Sequence, residues 1–246
     1  MAKKQGSSVQ EPETHSGSDG FQNEQSPFEG EQNVLDAESM GEGVVYTFTD
    51  NIDKEILYYE EPSLSRKEDA IEFINEFYEY KSSINGVGGL NRYLDDYEGW
   101  LEKLEEDYKE EQKDNRVPAR TYFLVRKSDN KIVGMSNIRL RLNDFLEKSG
   151  GHIGYCIRPT ERRKGYNKIN LYLALQVLEK YGVEEALLDA DLDNPASWKT
   201  MEALGGIRVA EYIDEYDGSE SVKYAIDVSE TLKEYQDIYE PNVHTH

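Results

Sequence analysis

Ile157-Arg158-Pro159-Thr160-Glu161-Arg162-Arg163-Lys164-Gly165-Tyr166-Asn167 joins two segments of different period. Residues 151–157 read as a strand, and residues 168–181 (KINLYLALQVLEKY) repeat apolar side chains at helical spacing. Residues 162–167 therefore make a basic glycine turn from a strand end into a helix start. Unpaired N–H groups at such a start favour an anion by about 0.3–1 kcal/mol, or about 2 when partly buried. Arg162, Arg163 and Lys164 add positive charge, so a pyrophosphate is the guest this turn suits.

The neighbouring segments fix a context. Upstream lies a hairpin, residues 121–126 (TYFLVR), a turn at Ser128-Asp129-Asn130, and residues 131–141 (KIVGMSNIRLR). Downstream come a strand at 186–191 and Asp193-Asn194-Pro195-Ala196-Ser197-Trp198. This order resembles the GNAT superfamily of N-acetyltransferases. The resemblance covers about residues 57–226, and Gly150-Gly151-His152-Ile153-Gly154-Tyr155 is similar to a bacterial-type subgroup of predicted acetyltransferases. It implies an α/β fold whose mixed, mostly antiparallel sheet is flanked by helices and split near the cofactor. It also implies acetyl-CoA as the acyl donor, with no metal.

In that family a motif of Arg or Gln, two residues, Gly, one residue, and Gly or Ala binds the pyrophosphate through its amides. Arg162, Gly165 and Asn167 occupy those positions, with Arg163, Lys164 and Tyr166 between them. Asn167 departs from the pattern by placing a side chain where the family keeps bare backbone. Asn194, with Ser197 after it, matches the family's later cofactor-contacting Asn, and Leu204-Gly205-Gly206 matches its helix ending. The resemblance further implies that the strand edge at Tyr155, Cys156 and Ile157 holds the pantetheine and polarises the thioester carbonyl.

Composition bounds the partners. The 246 residues suffice for one domain with a sizeable core, and net charge is −22, from 50 acidic against 28 basic side chains. Such a chain repels phosphate backbones, so no nucleic-acid partner is expected, while cationic substrates would be drawn in. Residues 1–43, rich in Ser, Gly, Gln and Glu without either period, read as a disordered acidic tail. The acetyltransferase domain is expected over 44–240, followed by a C-terminal tail at 241–246. No apolar run suits a signal or a membrane span, so a cytoplasmic location and no membrane partner are expected. The single cysteine, Cys156, excludes an internal disulfide and reads as a packing residue within its strand. The histidines show no metal-ligand spacing.

Along the chain, residues 44–49 suggest a short extra strand and 56–59 the first strand of the domain. Ser65-Arg66-Lys67-Glu68 reads as a capping box before a helix with Ala70, Ile71, Ile74, Phe77 and Tyr78 on one face. Residues 82–89 (SSINGVGG) break it, and residues 90–113 read as a second, acidic helix with Tyr93, Tyr97, Trp100, Leu101, Leu104 and Tyr108 in register. In the family arrangement these helices cover the acceptor groove, with Gly86, Gly88 and Gly89 as a mobile connection. Residues 207–216 and 222–226, split by Asp217-Gly218, read as a hairpin, and 229–239 as a last helix.

Acetylation of an amine requires the neutral nucleophile, which for a lysine-like amine of pKa about 10.4 costs roughly 4.6 kcal/mol at pH 7. The family places a base near the start of the fourth strand, where His152 stands, and its structural alternative there is a hydrogen bond beside Gly150-Gly151. The family's usual tyrosine acid falls at Met201, leaving solvent, Tyr166 or Tyr155 to protonate the thiolate. Asn137, Arg139, Arg141 and Asn143 alternate along the third strand and its exit, and Asp189 and Asp191 along the next. These are the candidate substrate contacts: the arginines for an acidic group, the aspartates for a cationic one.

The reading is thus an N-acetyltransferase acting on a primary amine, with a small cationic amine favoured. An aminoglycoside-type antibiotic, a polyamine, or a protein lysine or N-terminus are the other acceptors, and the resemblance admits a homodimer. The competing readings are a GNAT-fold module that binds acyl-CoA or another protein without catalysis, and an acidic tail that itself binds a basic partner.

Overall fold

A central antiparallel hairpin organises the computed structural model, which describes residues 55–109, 116–215 and 218–240. The expectations for 1–43, for a strand at 44–49 and for 241–246 lie outside the described residues. β1 (Leu57–Glu60) pairs with β2 (Ala119–Arg126), β2 with β3 (Lys131–Arg139), and β3 with β4 (Ile153–Ile157), a four-stranded sheet in that order. β5 (Glu185–Asp191), β7 (Glu220–Asp227) and β6 (Ile207–Ile213) form a second, three-stranded sheet with β7 in the middle. All the ladders among the described residues are antiparallel.

Helices cover both faces. α1 (Lys67–Glu79) and α2 (Tyr97–Asp107) bury Phe73, Phe77 and Trp100 against Phe123, Met135 and Cys156. A short α3 (Asp144–Lys148) follows β3. α4 (Tyr166–Lys180), α5 (Pro195–Glu202) and α6 (Val228–Tyr239) share the other core with Ile153, Ile157 and Leu188. The two-residue period of β4 assigns its side chains to these cores: Ile153 and Ile157 go to the α4 side and Cys156 to the α1 side. α4 is buried well beyond a single face. α6 lies over its outer side, with Tyr172 meeting Tyr239 at 5.4 Å between ring centroids, while Tyr181 stays 40% exposed.

Two local expectations are corrected. No capping box forms at Ser65: Leu64–Arg66 make a 3-10 turn, and the Ser65 hydroxyl lies 2.9 Å from that of Ser63. Arg66 explains this, because its buried guanidinium is drawn to Glu60 at 2.7 Å and Asp69 at 3.0 Å. The buried stripe of α1 is Ala70, Phe73, Ile74 and Phe77, and Tyr78 points out. The second helix does not run from residue 90. A 3-10 turn, Leu90–Arg92, is followed by a break, and Asp96 then caps α2 by accepting the Gly99 N–H at 3.1 Å.

Candidate active site

β4 and β5 stand side by side and, among the described residues, are bonded where His152, just before β4, meets Leu187 of β5. His152 N–H donates to the Leu187 carbonyl at 2.6 Å, and Leu187 N–H donates to His152 Nδ1 at 3.0 Å. Beyond this point they belong to separate sheets. Arg139 N–H donates to the His152 carbonyl at 2.8 Å and Arg158 N–H to Val133 at 2.9 Å, so even-numbered residues of this strand face β3. Alternation then turns the N–H and C=O groups of Tyr155 and Ile157 into the gap. Ile157's carbonyl already accepts from Arg162 Nε at 3.2 Å.

The Tyr155 side chain crosses the gap. Its hydroxyl lies 3.0 Å from Ser197 Oγ and 3.3 Å from the Ser197 carbonyl, on α5. Burial pushes its phenol up to about 12, opposed by hydrogen bonds from Ser197 and Asn167. Asn167 donates to Thr200 Oγ1 at 3.3 Å, while its own buried Oδ1 has no partner. Tyr155, Asn167 and Ser197 thus meet at one place. Asn194 heads α5 without a side-chain cap bond. Cys156 lies on the opposite face, its carbonyl toward Gly134, and burial pushes its thiol up to about 12.

The turn before α4 takes its shape from two left-handed residues, Arg163 (φ 62°) and Gly165 (φ 78°), which orient the loop amides toward the helix start. The basic side chains divide. Arg158, 2% exposed, lies 2.9 Å from both Glu72 and Glu76 of α1, so it belongs to the frame and not to an anion site. Arg162 donates to Ser82 at 2.6 Å, and Lys164 to Glu161 at 2.7 Å. Arg163 has no hydrogen-bond or ion-pair partner among the described residues. The loop amides, Arg163, the orphaned Asn167 oxygen and the open β4 edge fit the diphosphate and amide-rich arm of acetyl-CoA.

Tyr166 is turned away from this slot. It is 2% exposed, and its hydroxyl accepts from Arg126 Nη1 at 3.2 Å. His152 is 7% exposed; burial first, then Arg139 and Lys223, push its imidazole down to about 4. The bond from Leu187 occupies the Nδ1 lone pair and leaves the ring hydrogen on Nε2. This is the structural alternative for His152.

On the other face of β4 lies a cavity of about 750 Å³, lined by the loop 84–89, α2, the end of β3, α3 and Gly154. Asn137, Arg139 and Asn143 line it. The strand ends at Arg139, so the expected alternating row stops there: Arg141 is exposed, and Asn143 caps α3 by accepting the Leu146 N–H at 2.9 Å. Asp189 and Asp191 are not part of this lining. Asp189 accepts from Gly150 N–H at 2.7 Å and Lys223 at 2.9 Å, and Asp191 is exposed near Ser219. The connection expected over the groove does line the cavity at Gly86, Gly88 and Gly89, but spacing gave no sign of Arg92, Lys103 and Arg116 beside it, because nothing in their order says which way those segments fold.

Comparison with known proteins places this geometry. Residues 89–205 match the profile described as the Acetyltransferase (GNAT) family. The mutant forms of spermidine/spermine N-acetyltransferase SpeG from Vibrio cholerae superpose with a TM-score of 0.53 at 13% identity, over 72% of this chain and 97% of theirs. A dodecameric form of the Vibrio cholerae spermidine N-acetyltransferase gives 0.52 at 14% identity, over 74% and 98%. The microcin C7 self-immunity acetyltransferase MccE, in complex with acetyl-CoA and AMP, gives 0.50 at 18%, over 72% and 94%. At such identities the likeness is one of fold. No curated protein sequence matches the chain.

Proposed function

We propose that the chain, whose residues 89–205 match the GNAT acetyltransferase profile, transfers the acetyl group of acetyl-CoA to a primary amine held in the cavity beside Gly154. One observation carries the reading: the open edge of β4 at Tyr155 and the cavity at Gly154 lie back to back on adjacent residues. A donor threaded through the gap and an acceptor in the cavity would meet there.

Bound acetyl-CoA supplies an activated acyl carbon and a good leaving group. The amides of 163–167 and Arg163 hold the diphosphate, and the backbone of Tyr155 and Ile157 holds the pantetheine and polarises the carbonyl. The amine forms the new C–N bond as the C–S bond breaks. Tyr155 Oη is the proton donor for the sulfur, the role that Met201 cannot fill. No carboxylate in the described lining of the cavity is free, and His152 is bound to Leu187, so the amine's proton goes to water.

Calorimetric titration with acetyl-CoA, followed by thiol release in the presence of an amine panel, tests this. Micromolar binding with amine-dependent release is expected. Binding without release would favour the non-catalytic module, and no binding would remove the diphosphate turn as its basis.

A further inference from the structure

The cavity carries a charge opposite to that of the chain around it. Net charge is −22, yet the described lining sets Arg92, Lys103, Arg116 and Arg139 against a single carboxylate, Asp107. Asp107 is already matched, since Lys103 donates to its Oδ2 and Arg116 to its Oδ1 at 3.2 Å. Arg139 gives only Nη1 to the protein, to the carbonyls of Gly150 at 2.9 Å and Gly151 at 2.7 Å. Its Nε and Nη2 have no hydrogen-bond partner among the described residues. The Arg92 guanidinium has no hydrogen-bond or ion-pair partner among the described residues, its backbone N–H alone donating, to the Gly89 carbonyl at 2.9 Å.

Arg139 feels the Asp189 carboxylate only at a distance, and Asp189 is itself bonded to Lys223 at 2.9 Å. Two guanidinium groups without a direct ion pair among the described residues, in a concave site of an acidic protein, are suited to an anion of carboxylate or phosphate geometry. The register sets its distance from the chemistry. Asn137 pairs with Gly154, and Arg139 stands two residues farther along β3, about 6.6 Å at the usual strand rise. An anion on Arg139 would lie within a few bonds of an amine placed beside Gly154. A polyamine, cationic at every end, meets no free carboxylate in this lining. The cavity also suits a molecule of amino-acid size.

We infer that the acceptor is a small molecule bearing an acidic group a few bonds from its primary amine, with Arg139 and Arg92 as its anion contacts. This rests on the acetyl-transfer reading above, and it revises the small cationic amine expected from net charge.

The test is equilibrium binding by calorimetry to the full chain saturated with coenzyme A. Two probe pairs are used, each differing by one acidic group: lysine against cadaverine, and phosphoethanolamine against ethanolamine. In at least one pair the acid-bearing member should bind about tenfold more tightly or better, with the preference shrinking as salt rises. The pair that responds tells carboxylate from phosphate. Arg92→Gln, at an exposed side chain without bonds, and Arg139→Gln should each erode the preference. Parity or the reverse order in both pairs, no binding of any probe below about 10 mM, or a preference untouched by both variants would overturn the inference. Thiol release is read separately: an acid preference without release would remove the catalytic reading and leave the anion site standing.

Discussion

Gly86 and Gly154 pack backbone against backbone. A Cβ on Gly154 would lie 3.3 Å from the Gly86 Cα, and one on Gly86 would overlap the Gly154 carbonyl. Gly86 thus serves a close approach that holds the loop on β4, in addition to adopting a left-handed φ of 65°. Gly182 provides the control, with φ 74° and nothing within 4 Å of an added Cβ. Gly182→Ala should cost about 1–2 kcal/mol from backbone strain alone. Gly86→Ala should cost about 2 kcal/mol more, because the loop must lift from the strand, and it should also lower kcat/KM. Thermal melts of the pair check the difference, and equal losses would show that the contact has no consequence.

Tyr155 and Tyr166 were equal candidates on sequence, and their surroundings separate them. Tyr155 reaches across the gap to Ser197, whereas Tyr166 is held by Arg126. Tyr155→Phe should lower kcat by about tenfold or more while the KM for acetyl-CoA changes little, a modest loss for a proton donor because the thiolate leaves readily. Tyr166→Phe should leave kcat within about twofold and lower only stability, by roughly 1 kcal/mol. The reverse ranking in steady-state kinetics would exchange the roles.

The glycine turn before α4, the central hairpin and the helix after Gly165 were legible because each depends on short-range signals: a glycine of left-handed φ, a two-residue period, and apolar spacing. What the sequence hid depends on long-range contacts. Arg158 stands in the same basic run as Arg163, but only the fold brings Glu72 and Glu76 to it. The break at 93–96 turns on Asp96 choosing the Gly99 amide over a place inside a helix. Net charge suggested a cationic acceptor, yet charge summed over a chain says nothing of a cavity lined by Arg92 and Arg139.

His152 fastens β4 to β5, and its titration should be visible in stability. Its folded pKa of about 4 lies below the unfolded value of about 6.5, so between these limits the unfolded chain binds the extra proton. Stability should therefore rise with pH across that window, by up to about 3 kcal/mol from this group. His152→Gln cannot titrate and should flatten that part of the urea-midpoint profile from pH 4 to 7. A profile that keeps its slope in the variant would assign the effect to other groups. The wild-type kcat/KM profile should show no step near pH 6.5 from this imidazole.

Glu161 supplies the opposite limb. It is 4% exposed and accepts from Arg126 and Lys164 at 2.7 Å and from Lys131 at 3.2 Å. Burial raises its pKa, but the three cations prevail and hold the carboxyl down to about 2. With an unfolded value of about 4.3, its contribution is fully present above that pH and disappears as pH falls toward 2; it is at most about 3 kcal/mol. Glu161→Gln removes the charge while leaving Arg126 its bond to Asp129 at 2.7 Å. The variant should be less stable at pH 7 by about 2 kcal/mol, and the gap to the wild type should close as pH falls from about 4.3 to 2. Because Lys164 and Arg126 bracket the turn that leads into α4, the same variant should also weaken acetyl-CoA binding. A pH-independent gap in chemical denaturation would mean that the loss is one of packing, and that the ionised carboxylate contributes nothing to the turn.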